Sequence, residues 1–265
     1  MRYASLGSGS QGNATVVATA AGLILIDCGF TLKETEKRLA RLGVSAKDLS
    51  AVLVTHEHAD HIKGVGPLAR KYKMPVYMTP GTYHQSYHQQ NRLGDIPGLC
   101  FIDGYRPFSL ADLTIIPVAV PHDAREPSQF VLESDNLRLG LLTDLGSVSE
   151  HVIEQYQHCH ALILEANHDP EMLATGPYPA SLKRRVAGQW GHLSNGQALQ
   201  FLEQVHHEQL NQLVVAHISQ KNNCLDEVQA RFLPWQARID TILFACQSEG
   251  FDWLDVKSCQ SFQEI

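Results

Sequence analysis

The segment Thr55-His-Glu-His-Ala-Asp-His61 sets three histidines and an aspartate at the spacing H-x-H-x-D-H, directly after the apolar run Ala51-Val-Leu-Val54. A run of this kind reads as a buried strand. The chain must therefore fold so that a strand delivers these side chains into a loop, where they can converge on one point. Imidazole suits zinc, manganese, iron or nickel, and the added carboxylate admits harder ions. Alternation along an extended loop sends His56 and His58 to the same side. Asp60 and His61 follow at the turn and can be aimed at a second point, so the spacing predicts a two-metal site. Solvated loop histidines beside a capping aspartate are the plainer alternative. Four ligand-type residues in six positions after a buried strand argue against it.

The motif resembles the signature of the metallo-β-lactamase-fold hydrolases, in which H-x-H-x-D-H is followed by separate downstream ligands. Each has a counterpart here, in the family's order and over essentially the whole chain. His122 follows the strand-like Leu113–Val120, Asp144 follows Leu137–Leu142, and His217 follows Leu213-Val-Val-Ala216. Asp27, after Leu23-Ile-Leu-Ile26, matches an acidic residue kept behind the first histidines. The resemblance implies that His56, His58 and His122 hold one divalent ion, that Asp60, His61 and His217 hold the other, and that Asp144 bridges them. Zn²⁺ or Mn²⁺ is expected, with Fe²⁺ or Ni²⁺ also compatible. Asp27 would fix the tautomer of a ligating histidine; a strand-end aspartate bonding the next turn would look the same.

Periodicity gives a mixed α/β chain. Ala14–Ala18 and Leu23–Asp27 read as a hairpin, and Phe130–Leu142 as another turning at Asp135-Asn136. Leu32–Leu42 is an amphipathic helix, Ile62–Tyr72 a second one, and Met74–Met78 a strand closed by Pro80-Gly81. Ser147-Val-Ser-Glu150 and Ser194-Asn-Gly-Gln197 have the form of capping boxes, opening helices to Gln157 and His206. Ala161–Glu165, Thr241–Cys246 and Phe251–Val256 read as strands, and Leu225–Leu233 as a helix. The family resemblance orders these into a four-layer αββα sandwich, expected as one domain over residues 1–265.

No run approaches the ~18 apolar residues of a membrane helix. The N-terminus lacks the apolar stretch of a signal peptide. Cys28, Cys100, Cys159, Cys224, Cys246 and Cys259 form no C-x-x-C pair and read as reduced thiols. A cytoplasmic protein with no membrane partner is expected, with oligomeric state left open. The formal charge of −7 sets a long-range field against polyanions.

The substrate class is narrowed by what the chain carries. Asp144 stands where many true β-lactamases of this fold have cysteine, which argues against that activity. The helical C-terminal domain of glyoxalase II and the β-CASP insertion of RNase J have no counterpart. Ser5-Leu-Gly-Ser-Gly-Ser-Gln-Gly-Asn13, Gly191-His-Leu-Ser-Asn195 and His217-Ile-Ser-Gln-Lys-Asn-Asn223 are most similar to the YycJ/WalJ group, itself related to RNase Z and PhnP phosphodiesterases. That resemblance implies a 5′-to-3′ exonuclease on DNA, with Asp60, His192 and Glu165 as catalytic residues. By the resemblance to RNase Z, which has such a pair at similar positions, His192 would touch the scissile phosphate or protonate the leaving oxygen, and Glu165 would orient His192. A helix-start histidine and a strand-end glutamate are the alternative. Ser8, Ser10 and Asn13 could contact phosphate through hydroxyls and amides, or form a plain Gly/Ser turn. Lys183, Arg184 and Arg185 are the densest basic patch, a phosphate-binding strip or a solvated helix face. A small-molecule hydrolase, whether phosphodiesterase or ester or thiolester hydrolase, is the other reading of the same metal site.

Overall fold

A computed structural model of the chain describes residues 1–88 and 93–258; Cys259 lies outside them. The first sheet takes β1 (Arg2–Gly7), β2 (Ala14–Ala18), β3 (Leu23–Ile26), β4 (Leu49–Leu53), β5 (Val76–Met78) and β6 (Leu99–Phe101). The second takes β7 (Phe108–Leu110), β8 (Leu113–Ala119), β9 (Ser128–Ser134), β10 (Leu137–Leu142), β11 (Ala161–Glu165), β12 (Gln212–Ala216) and β13 (Thr241–Phe244). Then β14 (Phe251–Asp255) returns to the first sheet and pairs antiparallel with β1. The strand orders are β14-β1-β2-β3-β4-β5-β6 and β13-β12-β11-β10-β9-β8-β7.

The helices are α1 (Leu32–Arg41), α2 (Ala59–Ile62), α3 (Val65–Tyr72), α4 (Pro80–His88), α5 (Glu150–Tyr156), α6 (Pro170–Thr175), α7 (Ala180–Val186), α8 (Asn195–Val205) and α9 (Leu225–Phe232). Three apolar layers account for the stacking. Leu25, Val52 and Val76 pack with Leu39, Ile62 and Leu68 between the first sheet and its helices. Ile24, Leu53, Phe130, Leu139 and Ile163 fill the space between the sheets. Leu162, Leu164 and Leu213 meet Val152, Phe201, Leu202 and Phe232 on the far side. Each fully buried side chain of this size contributes ~1.5–3 kcal/mol by leaving water. The expected αββα order is the one observed. No helix among the described residues is long and apolar enough to cross a membrane.

Local chemistry explains where the elements start and stop. Asp135 and Asn136, with φ of 51° and 61°, make the two-residue hairpin turn, since both tolerate the left-handed region. Ser194 caps α8 in a full capping box with Gln197. Three expectations are corrected. The helix expected over Ile62–Tyr72 is two helices, because Gly64 lies where a Cβ would come 2.2 Å from the Phe30 carbonyl oxygen and its N–H is taken by Cys28 O. The helix after Asp144 is capped by Ser149, whose hydroxyl accepts from Val152 N, while Ser147 Oγ donates to Gln189 O. Pro80 follows the strand end as expected, and it also opens α4, since the first helical position suits proline. Strands β1, β6 and β7 and helix α6 appear where no element was expected.

Candidate metal centre

Strands β3 and β4 run parallel, as do β10, β11 and β12, so their C-terminal ends lie together at one edge of each sheet. The expected ligands come from these ends. His56 and His58 follow β4, with Asp60 and His61 in the first turn of α2. His122 follows β8, Asp144 follows β10, Glu165 ends β11 and His217 follows β12. Asp27, Asp144 and His217 have φ of 60°, 59° and 51°. This left-handed step is uncommon for non-glycine residues, and at each strand end it breaks the alternation. Gly29 lets the Asn13 strand entry and the metal loop meet, since a Cβ there would stand 1.7 Å from Asp60 O.

Partner atoms fix the ring nitrogens. Thr55 Oγ1 donates to Asp27 Oδ2 at 2.8 Å and so accepts from His56 Nδ1 at 2.9 Å. His122 Nδ1 donates to Gly191 O at 3.0 Å, and His61 Nδ1 donates to Asp27 Oδ2 at 2.8 Å. These contacts leave His56 Nε2 and His122 Nε2 as lone pairs. Both face His58 Nδ1, at 3.0 and 3.2 Å. One proton on His58 Nδ1 can be aimed at only one of them, so at least one of these lone pairs faces the His58 ring with no proton between them. Nitrogens ~3.3 Å apart are what tetrahedral coordination at ~2.0–2.1 Å produces. A cation between the three rings resolves the conflict, and the donor set fits one.

The second cluster is Asp60, His61 and His217, whose ligand atoms lie within 4.8 Å of one another. Asp60 Oδ2 is 3.6 Å from His61 Nε2 and 3.8 Å from His217 Nε2. His217 Nε2 and Asp144 Oδ2 are buried with no aligned hydrogen-bond partner; Asp144 Oδ2 lies 3.3 Å from His61 Nε2. Asp144 also groups with His56 and His61, which places it between the two clusters. The two halves differ electrically. Burial, with neighbouring His61 and His122, holds His56 well below the usual imidazole range, and burial takes His122 down to about 4. Burial pulls the same way on His61 and His217, but Asp144 and the other nearby carboxylates outweigh it. His61 rises well above its ordinary value and His217 rises to about 10.

Glu165 is fully buried and anchors the floor. Its Oε1 accepts from Leu193 N at 2.7 Å and Leu145 N at 3.3 Å; its Oε2 accepts from Asp144 N at 3.1 Å, His192 Nδ1 at 2.9 Å and His217 Nδ1 at 3.1 Å. Burial alone would raise its carboxyl, but the two imidazoles hold it down to about 2. The contact to His192 matches the expected pair; the contact to His217 was not foreseen. Asp27 sits behind His61, as expected, and also takes Thr55 N at 2.8 Å.

The cluster opens into a cleft of about 530 Å³. Ser10, Asp60, Tyr178, Arg185 and His192 are among its walls, and Glu57 and Asp123 add two acids that sequence reasoning missed. Asp123 follows His122 directly, pairs with Arg185, and lies 3.5 Å from His122 Nε2. Of the basic run, Arg185 alone lines this cleft; Lys183 Nζ donates to Ala174 O at 2.6 Å. Successive helical residues point ~100° apart, so three neighbours cannot share one wall. Arg184 is exposed outside the lining. Ser8 is buried and accepts from His217 N at 2.9 Å. The Asn13 amide nitrogen lies 3.0 Å from His61 Nε2 and 3.4 Å from Asp60 Oδ2. Ser8 and Asn13 thus brace ligands, and Ser10 alone of the three faces the cleft.

The two motifs Gly191–Asn195 and His217–Asn223 are joined beneath the site. Asn195 Nδ2 donates to Asn223 Oδ1 at 3.0 Å and Asn223 Nδ2 to Asn195 Oδ1 at 2.8 Å. Asn223 Nδ2 also reaches Ala166 O and Asn167 O, and Asn167 Nδ2 donates to His217 O at 3.0 Å.

Two seven-stranded sheets carrying a histidine and carboxylate cluster at one edge define a metallo-β-lactamase-type hydrolase scaffold, and the chain belongs to the β-lactamase superfamily. The family model described as beta-lactamase superfamily domain matches residues 23–218. Over 227 residues the chain is 36% identical to exodeoxyribonuclease YycJ of Bacillus anthracis, covering 84% of each. It is 34% identical over 224 residues to exodeoxyribonuclease WalJ of Streptococcus pneumoniae, covering 84% of this chain and 83% of the relative. The metallo-beta-lactamase fold protein YhfI from Bacillus subtilis superposes with a TM-score of 0.70 at 15% identity, over 96% of this chain and 98% of that one.

Proposed function

We propose that the protein is a two-metal phosphodiesterase that degrades DNA as a 5′-to-3′ exonuclease. The carrying observation is the pair of ligand clusters meeting at Asp144, in one cleft with the buried Glu165–His192 pair. The identities to YycJ and WalJ direct this chemistry to DNA, and the polarity rests on the group resemblance. His56, His58 and His122 would hold one ion, and Asp60, His61 and His217 the other, with Asp144 shared; zinc or manganese suits the donors. Bound there, two dications supply Lewis acidity toward a phosphodiester and a hydroxide nucleophile near neutral pH.

The side chains do the rest. Glu165 accepts the Nδ1–H of His192 and leaves Nε2 for the cleft. Against burial, that carboxylate raises the His192 imidazole above its ordinary value, keeping a proton available for the leaving oxygen. Asp27 and Gly191 O hold His61 and His122 in the tautomers that present Nε2. Arg185, paired with Asp123 at the rim, is placed to meet a flanking phosphate.

Oligonucleotides of DNA and RNA labelled at either end, incubated with each metal, test the reading. Loss of a 5′ label as mononucleotide, from DNA, stopped by chelator and by His56→Ala, is the expected result. Hydrolysis of small phosphodiesters alone would move the assignment to a small-molecule enzyme.

A further inference from the structure

One side chain, next in the chain to Gly191 and His192 of the cleft wall, has no part in the metal chemistry. Trp190 is 61% exposed, and among the described residues its indole has no recorded ring or hydrogen-bond partner. Trp235 is buried and Trp253 donates its indole N–H to Leu42 O at 3.0 Å, so Trp190 stands apart. A large aromatic surface left in water forgoes the stabilisation that burial brings.

The backbone that carries it is tightly held. Trp190 O accepts from Asp123 N at 2.9 Å, Gly191 N donates to Gly188 O at 2.9 Å, and Ser147 Oγ holds Gln189 O at 3.0 Å. The segment lies flush on Gly146, where a Cβ would come within 2.3 Å of Gly191 N and 2.5 Å of Trp190 N. On one side Gly191 O binds His122; on the other the Asp123 side chain pairs with Arg185. The backbone that carries the exposed indole is therefore fixed, next to Gly191, whose carbonyl holds His122, and two residues from His192.

The cleft is acidic, with Glu57, Asp60, Asp123 and Asp144 against Arg185, so a polyanion needs uncharged contacts as well as metal. Base stacking on an aromatic face supplies one. It is independent of sequence because every base has a π-face, which suits an enzyme that must pass each nucleotide in turn.

We propose that the Trp190 indole is a nucleobase-stacking subsite, taking an unpaired base next to the phosphate in the cleft; this rests on the nuclease reading above. It makes single-stranded DNA the form that the cleft engages.

The test is a cycle between Trp190→Ala and an abasic residue near the labelled end of a single-stranded oligonucleotide. Stacking of ordinary strength predicts a KM on the order of 10-fold higher for Trp190→Ala on the normal strand. Wild type should lose a similar factor on the abasic strand, Trp190→Ala should lose little more, and Trp190→Phe should recover most of the affinity. Equal losses for Trp190→Ala on both strands, or none on either, overturn the proposal. If no DNA is degraded, the nuclease reading fails separately, and fluorescence still reads the subsite. Quenching by oligothymidylate in wild type but not in Trp190→Phe supports stacking, and absence of quenching refutes it.

Discussion

The two ligand clusters should load metal with different pH dependence. A ligating imidazole must be neutral. His56 and His122 are held low, His122 down to about 4, so no proton stands in the way of an ion there at neutral pH. His217 is raised to about 10 by Asp144, Asp60 and Glu165 against the pull of burial, and His61 is raised as well. With a folded-state pKa above the working pH, the proton is present at pH 7 and is lost only as pH rises. Displacing it from His217 three units below its pKa costs on the order of 4 kcal/mol. The Asp60–His61–His217 ion should therefore bind more tightly by at least tenfold per pH unit between pH 6.5 and 8.5, while the His56–His58–His122 ion changes little. Metal-buffered titrations across that range measure both slopes, and calorimetry in buffers of different ionisation enthalpy counts the protons released. His56→Ala and His217→Ala assign each slope to its cluster. Equal slopes, or a steep ion that survives His217→Ala, would refute the electrostatic reasoning.

His192→Ala should lower turnover by a factor on the order of 10²–10⁴ with metal content near normal, whereas Glu165→Ala should also lose metal, because it releases His217; metal analysis beside rate measurements separates the two. Arg185→Glu should weaken oligonucleotide cleavage, while Lys183→Glu, whose ammonium group is spent on Ala174 O, should not. Since one arginine lines the cleft, log KM against log salt should have a shallow slope, equivalent to roughly one or two phosphate contacts; a steep slope would mean that another basic surface binds the strand.

The ligands were legible because each follows an apolar run, so a local pattern reports a strand end. Asp27, Asp144 and His217 each follow such a run, and the family resemblance supplied their order and expected roles. The tie from Glu165 to His217 spans 52 residues, and no local pattern encodes it. β1 escaped notice because it lies between β14 and β2 and is buried almost throughout, with Ala4 and Ser5 giving no alternation. The basic run at Lys183–Arg185 is plain in the sequence, but which residue faces the cleft depends on helix phase and on Asp123, in the loop after β8. The break at Gly64 was hidden for a similar reason: the obstacle is the Phe30 carbonyl, far away in the chain.

The Asn195–Asn223 amide pair bears on how the protein ages. Asn195 precedes Gly196, and an asparagine followed by glycine is chemically fragile, because the unhindered glycine amide nitrogen can attack the side-chain carbonyl and close a succinimide. Here Asn195 is the first residue of α8, is fully buried, and has both ends of its amide engaged by Asn223. Helical backbone and pinned amide together keep nitrogen and carbonyl from meeting. The native fold thus shelters this dipeptide, and each excursion to the unfolded chain exposes it. Deamidation there would place a negative charge against the Asn223 carbonyl oxygen, one link through Asn167 from the His217 backbone, so chemical damage at this one dipeptide would be felt at the candidate metal centre.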